Sequence, residues 1–141
     1  MRATSYVLFG AGQLGVMMLA RFFFQWVLDF AGTPTAAGAP LFAAASVGLL
    51  FFGFRIFDGV TDPLAGLLGD GWVRRGRERR SLLFVAFALP SIGLVLVFSA
   101  SEALGEAARW SLLAAGMFVF FVGYTLYAIP YWSLLDDYAA G

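Results

Sequence analysis

Four long apolar runs, separated by short polar or Gly- and Pro-containing stretches, make up almost the whole chain. Each run reaches the roughly 20 residues that a helix needs to cross the hydrocarbon core of a bilayer. The pattern therefore predicts an all-α integral membrane protein with four transmembrane helices. We expect these helices at about residues 6–30, 41–69, 81–100 and 110–135.

The composition agrees with a membrane location. Of the 141 residues, 61% are hydrophobic and only 13% are charged, whereas a soluble domain is about half apolar and a quarter charged. The net charge is zero, so nucleic acid is not an expected partner. The apolar composition makes the lipid bilayer the expected partner. The chain has no Cys and no His, which excludes disulfides, thiol nucleophiles, His-based triads and the usual zinc sites. We expect neither an enzyme nor a bound cofactor.

The segment between the second and third runs, residues 70–80, carries five arginines. The opposite linker, about residues 100–109, holds Glu102, Glu106 and a single arginine. By the positive-inside rule the arginine-rich segment faces the cytoplasm. We therefore expect a multi-pass protein of the plasma (inner) membrane with both termini in the cytoplasm. The charged side chains of this segment either anchor lipid headgroups or take part in gating, and they are Asp70, Arg74, Arg75, Arg77, Arg79 and Arg80.

Three charged residues interrupt the second run. On a helix, Arg55, Asp58 and Asp62 share one face, because they are spaced by three and four positions. A charge at mid-bilayer costs about 2.5–3.5 kcal/mol or more, so the group requires an explanation. One positive and two negative charges leave a net charge of minus one, which a monovalent cation or a proton would neutralise. The pattern predicts half of a coupling-ion site in a transporter, the alternative being a structural ion-pair network.

The same run contains helix-distorting and small residues. Pro63 removes one backbone donor and crowds the carbonyl of Gly59, so we expect a kink or a loosened turn there. Small residues along this helix predict close contacts with neighbouring helices, and they are Gly53, Gly59, Gly66 and Gly69.

Arg21 interrupts the first run. It either extends its side chain toward the membrane interface or faces the bundle interior and pairs with an acid there. In the fourth run, the aromatic and hydroxyl side chains from Tyr124 to Ser133, with Pro130 among them, fit either an interfacial belt or a lined cavity.

Three motifs of the chain resemble a known transporter family. These motifs are residues 58–66 (DGVTDPLAG), residues 76–80 (GRERR) after Asp70, and the run from Tyr124-Thr125 through Ile129-Pro130-Tyr131-Trp132-Ser133-Leu134. Together they resemble the glycoside–pentoside–hexuronide:cation symporters, the melibiose-permease-like branch of the major facilitator superfamily. The resemblance implies that residues 1–141 correspond to the first four helices of a twelve-helix fold.

The resemblance also implies roles for individual residues. Asp58 and Asp62 match the acids that bind sodium, lithium or a proton, and Thr125 matches the hydroxyl that joins them. Arg55, Tyr124 and Trp132 match positions of the charge network and the sugar site. Two positions depart from the family pattern, because the places of two sugar-binding acids are taken by Gln13 and Ala128. Gln13 can still hydrogen-bond a sugar, but melibiose-like specificity is not expected.

The expected function is cation-coupled symport of a sugar or a related small solute, with sodium or a proton as the coupling ion. Sugars, sugar acids and lipid-like molecules are all open as substrates. We expect the chain to be an N-terminal part whose partners are the remaining C-terminal helices of the same transporter. The alternative is a complete four-helix protein that acts as a subunit or scaffold. Four-helix multidrug exporters fit less well, because their essential first-helix Glu is missing.

Overall fold

Four helices build the molecule. The computed structural model describes residues 3–139 and, within them, the side chains of residues 6–84 and 86–135. All four helices are long and apolar enough to cross a membrane, and the described residues contain no β-strand. The predicted all-α class with four membrane-crossing helices is therefore confirmed. The helices are α1 (Ala3–Ala31), α2 (Ala44–Arg74), α3 (Arg79–Phe98) and α4 (Glu106–Ala139).

Because successive helices run in opposite directions, the bundle has two distinct ends. We call the end with linkers 32–43 and 99–105 the linker end, and the end with residues 75–78 the arginine end. The terminal residues 1, 2, 140 and 141, which are predicted to be cytoplasmic, lie outside the described residues.

The backbones of α3 and α4 touch each other. A Cβ atom added to Gly116 would lie 2.7 Å from the backbone nitrogen of Val97 and 2.8 Å from the carbonyl oxygen of Gly93. A Cβ on Gly93 would lie 2.6 Å from the backbone nitrogen of Phe120. Real Cβ atoms do not approach so closely, so only glycine fits at these positions. Small residues at a helix interface allow this kind of contact inside a membrane.

Two of the four α2 glycines differ from the prediction, whereas Gly66, whose added Cβ would lie 3.8 Å from Cγ2 of Ile129, and Gly69 lie against α4. A Cβ on Gly53 or Gly59 would meet no atom within 4 Å, so these two positions make no close helix contact among the described residues. Gly69 does, since its Cβ would lie 3.3 Å from Cγ of Pro130. The closest helix approach uses glycines of α3 and α4, which the sequence did not single out.

An aromatic core fills the linker end of the bundle. The rings of Phe23 and Phe120 stack with centroids 3.6 Å apart, which joins α1 to α4. Phe54 of α2 stacks on Phe121 with centroids 5.2 Å apart. Phe23, Phe120 and Phe121 are buried, as is Phe42 in the linker just before α2. Stacked and edge-to-face aromatic pairs stabilise by about 0.5–1.5 kcal/mol beyond burial, so this core fixes the relative positions of α1, α2 and α4.

The two linkers are joined to each other. The first forms a tight hairpin with an isolated bridge between Pro34 and Pro40, and Gly38 supplies the positive φ of 76° that the turn needs. The backbone N–H of Ala36 donates to Oε2 of Glu102 at 2.8 Å. One hydrogen bond thus connects the α1–α2 linker to the α3–α4 linker.

The arginine-rich segment is more helical than predicted. Helix α2 continues through Asp70 to Arg74, and α3 already begins at Arg79, so the loop is shorter than residues 70–80. The helix ends where Gly76 adopts a φ of 71°. There the N–H of Gly76 donates to the carbonyl of Val73 and that of Arg77 donates to the carbonyl of Trp72, the Schellman pattern of a helix C-terminus. Helix α2 therefore ends at a glycine with a positive φ and not at the charged residues that precede it.

Candidate cation site between α2 and α4

The three charged residues of α2 lie along one face, as their spacing predicts. Nη1 of Arg55 is 3.8 Å from Oδ2 of Asp58, a distance that makes an ion pair but not a hydrogen bond. The Asp58 side chain is only 15% exposed, whereas that of Arg55 is 62% exposed. Asp62 is half-buried. The side chains of the two acids are therefore more buried than that of Arg55, which is largely exposed.

Two residues of α4 face these charges. Thr125 is 4% exposed, and its hydroxyl approaches the Asp58 carboxylate. The Tyr124 phenol lies within electrostatic range of Arg55, Asp58 and Asp62. The structure therefore brings these five predicted residues together between two helices.

The Asp58 carboxylate has an unmet bonding requirement. Its Oδ1 is buried and accepts no hydrogen bond from any described residue, and Asp62 repels it electrostatically. A buried acceptor normally has a partner, because leaving it without one is unfavourable. Two carboxylates with one arginine carry a net charge of minus one. The arrangement can accept a proton or a monovalent cation.

The oxygen donors fit a singly charged ion. Within the described part of the chain, no group of three or more Asp, Glu, His or Cys residues gathers at one place. The available donors are the carboxylates of Asp58 and Asp62 and the hydroxyl of Thr125. Hard cations prefer oxygen donors of this kind, whereas zinc and copper sites use nitrogen and sulfur.

The backbone of α2 is modified beside the acids. The Thr61 hydroxyl donates to the carbonyls of Phe57 at 3.0 Å and Asp58 at 3.3 Å. Pro63 lies inside the continuous helix and offers no N–H to the carbonyl of Gly59. The predicted kink stays a prediction, but the hydrogen-bond ladder of α2 is altered within one turn of both acids.

An aromatic ring of α1 connects that helix to the site. The guanidinium carbon of Arg55 lies 4.8 Å from the ring centroid of Phe24, a cation–π contact. The same ring packs against Phe51 and Phe121 of the aromatic core. Sequence reasoning missed Phe24, because one phenylalanine in a phenylalanine-rich run carries no distinguishing signal.

Gln13 and Trp132 stand apart from this group. Gln13 is half-buried, and its Oε1 accepts no hydrogen bond from the described residues. Trp132 is exposed and meets Phe9 edge-on with centroids 6.3 Å apart. No ion pair or hydrogen bond among the described residues joins either of them to Asp58 or Asp62. Their assignment to a substrate network stays a prediction.

Tyr131 closes α1 against α4 on the arginine-end side of the charges, and sequence reasoning did not find this contact. Its hydroxyl donates to the carbonyl oxygen of Phe9, and its ring stacks on Phe9 with centroids 4.7 Å apart. A Cβ added to Gly12 would lie 2.6 Å from that hydroxyl oxygen, so glycine is needed there. Tyr127 stacks on the other side of Tyr131 at 5.5 Å. We call Phe9, Gly12, Tyr127 and Tyr131 the tyrosine latch.

An interfacial belt, one of the two predictions for the aromatic residues of α4, therefore describes the exposed Trp132 but not the buried Tyr131.

The charged residues of the arginine end join α2 to α3. Oδ1 of Asp70 is 3.6 Å from Nη1 of Arg79. The guanidinium of Arg77 lies 4.5 Å over the ring of Trp72, whose indole N–H donates to the hydroxyl of Ser81 at 3.0 Å. The remaining predicted residues of this segment are exposed, and they are Arg74, Arg75 and Arg80.

Comparison with known proteins gives one match. A family model described as MFS/sugar transport protein matches residues 8–139. No curated protein and no solved structure matches the chain. The expected relation to the major facilitator superfamily is thereby confirmed, and the melibiose-permease-like branch stays an expectation. The matched family consists of multi-pass membrane transporters and not of enzymes.

Proposed function

We propose that the chain, which belongs to the MFS/sugar transport protein family, acts in cation-coupled symport of a sugar-like solute. Sodium or a proton is the coupling ion, and Asp58, Asp62 and Thr125 bind it. The observation that carries this proposal is the buried Oδ1 of Asp58, which has no hydrogen-bond partner and lies beside a second acid and a hydroxyl.

The coupling follows from electrostatics at this site. Without a cation, Asp58 and Asp62 repel each other, and Arg55 offsets the repulsion only through a long ion pair of 3.8 Å. A bound cation or proton removes the repulsion and gives α2 and α4 a shared ligand through Thr125. By thermodynamic linkage, any solute that prefers this closed arrangement binds more tightly when the cation is bound, and the reverse holds equally.

The surroundings of the site support its completion by further helices of the same transporter. The Arg55 side chain is mostly exposed, although it lies in a membrane-spanning segment, and such a position calls for a water-filled cavity or another protein surface. In transporters of this architecture the substrate binds near the midplane between two halves. We place the arginine end in the cytoplasm of the plasma membrane, with both termini on that side, because the loop arginines collect there.

Removal of either acid tests the cation assignment. In proteoliposomes of the purified transporter, uptake of a labelled sugar panel is measured with and without an inward sodium or proton gradient. We expect Asp58→Asn and Asp62→Asn to lose the gradient stimulation and keep gradient-independent exchange. Glu78→Gln is the matched control, because Glu78 is an exposed loop acid. Full stimulation in both Asn variants would contradict the proposal.

Thr125 provides a graded test of the same site. Thr125→Val keeps the shape of the side chain and removes the hydroxyl. Since hydrogen bonds to charged groups contribute about 1.5–3 kcal/mol, we expect the concentration of cation for half-maximal stimulation to rise about tenfold or more. An unchanged cation dependence in this variant would remove Thr125 from the site. Competition by sodium at fixed pH then distinguishes a sodium site from a proton site.

A further inference from the structure

Arg21 is a charged residue in a membrane-spanning helix, and none of the acids whose side chains the structure describes pairs with it. It is exposed on α1, lies within the segment Tyr6–Ala31, and forms no ion pair with any acid in the described part of the chain. It points away from the buried Phe23, which faces α4. The predicted pairing of Arg21 with an acid inside the bundle is therefore absent among the described residues. An arginine at such a depth marks a pathway or a polar partner.

The surface around Arg21 is a groove with the chemistry of a carbohydrate site. The groove is open on one side and has a volume of about 470 Å³. Aromatic faces suit the apolar side of a sugar ring, an amide suits hydroxyl groups, and a guanidinium suits a carboxylate or phosphate. All three are present, since the groove is lined by Met18, Arg21, Phe22, Phe24, Gln25 and Trp26.

The groove shares a wall with the candidate cation site. Phe24 lines the groove, and the guanidinium of Arg55 lies 4.8 Å from the centroid of the same ring. Arg55 in turn pairs with Asp58. Only the Phe24 ring and the Arg55 guanidinium therefore lie between a molecule in the groove and the two acids of the candidate cation site.

The charges near the membrane midplane balance when both sites are empty and again when a cation and an anion are bound together. Four described charged residues lie more than two helical turns from either end of their helices: Arg21, Arg55, Asp58 and Asp62. Two are positive and two are negative, so they sum to zero. Cation binding by the acids leaves one excess positive charge in a region where uncompensated charge is unfavourable. A solute with one negative charge beside Arg21 restores neutrality, whereas a neutral sugar does not.

One further acid lies near the groove. Nε2 of Gln25 is 3.5 Å from Oδ2 of Asp29, one turn further along α1. Asp29 is exposed two residues before the end of the helix at Ala31 and does not line the groove. The hydrogen bond to Asp29 orients the Gln25 amide. The charge of Asp29 lies at the end of α1, outside the groove.

We propose that the groove around Arg21 binds the anionic group of the transported solute, which is therefore a sugar acid and not a neutral sugar. This inference rests on the proposed symport function and names its substrate class. Arg21 binds the carboxylate, Gln25 a hydroxyl group, and Trp26 or Phe22 the ring face. The cation at Asp58 and Asp62 and the anion at Arg21 then cross the membrane as an electroneutral pair.

The test compares sugars that share one ring and differ in the group at C6, which is charged in only one of them. Binding of labelled D-glucuronate to the purified transporter is measured by equilibrium dialysis in an uncharged detergent with sodium present. D-glucose and the neutral amide D-glucuronamide serve as competitors. Because a charge-assisted bond to Arg21 distinguishes the probes, we expect glucuronate to bind about tenfold or more tightly than either neutral compound. Equal affinity for the three compounds in the unmodified protein would overturn the proposal.

Variants of Arg21 locate the preference. Arg21→Gln should abolish the difference between glucuronate and glucuronamide, and Arg21→Lys should retain part of it. Arg109→Gln removes a half-buried arginine of α4 that does not line the groove, and it should leave the preference unchanged. If Arg21→Gln does not fold, the Arg21→Lys variant and the comparison of probes in the unmodified protein still test whether Arg21 binds the anionic group. Retention of the full preference in a folded Arg21→Gln protein would overturn the proposal.

A lipid phosphate is the other possible source of an anion. If added phosphatidylglycerol displaces all glucuronate from the unmodified protein, and Arg21→Gln weakens only the lipid binding, then Arg21 is a headgroup anchor and the proposal fails. The dependence of binding on sodium and on pH separates this outcome from failure of the symport function. A charge preference with neither sodium dependence nor pH dependence would contradict the cation site, whereas sodium or pH dependence without a charge preference would contradict the anion groove.

Discussion

Two aspartates of α2 show how burial changes the meaning of an ion pair. Asp58 and Asp70 each lie close to an arginine, at 3.8 Å and 3.6 Å. The Asp70 side chain is 60% exposed, so its pair with Arg79 contributes about 1 kcal/mol or less. The Asp58 side chain is 15% exposed and has an oxygen without a partner. The first pair is an exposed contact between α2 and α3, whereas the second leaves a buried acceptor without a hydrogen-bond partner among the described residues.

At the residue scale, Gly12 offers a test of the tyrosine latch. We expect Gly12→Ala to destabilise the protein relative to Gly15→Ala, because the new methyl group would meet the Tyr131 hydroxyl and disturb its hydrogen bond to Phe9. The difference should be about 1 kcal/mol, the net value of one hydrogen bond. The measurement is the free energy of unfolding in mixed micelles titrated with a denaturing detergent.

Gly15 is the matched control, because a Cβ there meets nothing within 4 Å. On helix propensity alone, alanine should stabilise α1 at either position by about 0.5–1 kcal/mol. Equal stabilisation by both substitutions would show that Tyr131 does not hold α1 at Gly12.

At the scale of helices, the α3–α4 contact is the least tolerant part of the molecule. We expect Gly116→Ala to lower the free energy of unfolding by about 1–3 kcal/mol, because overpacking forces two backbones apart. The clashing atoms would be the nitrogen of Val97 and the carbonyl oxygen of Gly93, which cannot move as a flexible side chain can. The same detergent titration measures the loss.

Gly53→Ala controls for the change of residue type, since the space around Gly53 is open. We expect this variant to unfold like the unmodified protein or at slightly higher denaturant. A similar loss in both variants would mean that the loss at Gly116 does not come from its contact with α3.

The existence of the helices was predictable, but some of their contacts were not. Apolar runs long enough to cross a bilayer determined the four helices and their order. The end of α2 was misplaced because charges at Asp70 and Arg74 were interpreted as a loop, whereas the helix continues to the positive-φ Gly76. Gly116 and Gly93 were overlooked because each owes its importance to a partner helix, and no local pattern specifies that partner.

Some residues of the candidate site could likewise be predicted from the sequence, and others could not. Arg55, Asp58 and Asp62 were found because charge is conspicuous in an apolar run and helical spacing aligns it. Thr125 came only from family resemblance, since one threonine on another helix has no spacing relation to α2. Phe24 and Tyr131 were missed because their roles depend on which aromatic residues the tertiary packing selects.

At the scale of the whole molecule, the bundle has three layers along its axis. The aromatic core occupies the linker end, the charged site follows, and the tyrosine latch closes α1 against α4 nearer the arginine end. The rigid core anchors the helices on one side of the charges. We expect any motion that opens the site to act at the latch, which depends on one hydroxyl and stacked rings.

Membrane orientation is testable directly, because the chain has no native cysteine. We expect a cysteine introduced at exposed Ala37 to react with a membrane-impermeant maleimide in intact cells, and one introduced at exposed Glu78, in the loop that also contains Gly76, to react only after permeabilisation. The reason is the concentration of arginines at the Gly76 end, which the positive-inside rule places in the cytoplasm. The reverse labelling pattern would invert the topology.

The hydrogen bond between Ala36 and Glu102 joins segments 66 positions apart in the sequence. The exposed surface over the two linkers is therefore a discontinuous epitope, which exists only when both helical hairpins have folded and met. An antibody fragment selected against this surface would recognise assembled protein and ignore unfolded chains. If the linker end faces the outside of the cell, as we propose, such a reagent would count correctly folded molecules on living cells without any label on the protein itself.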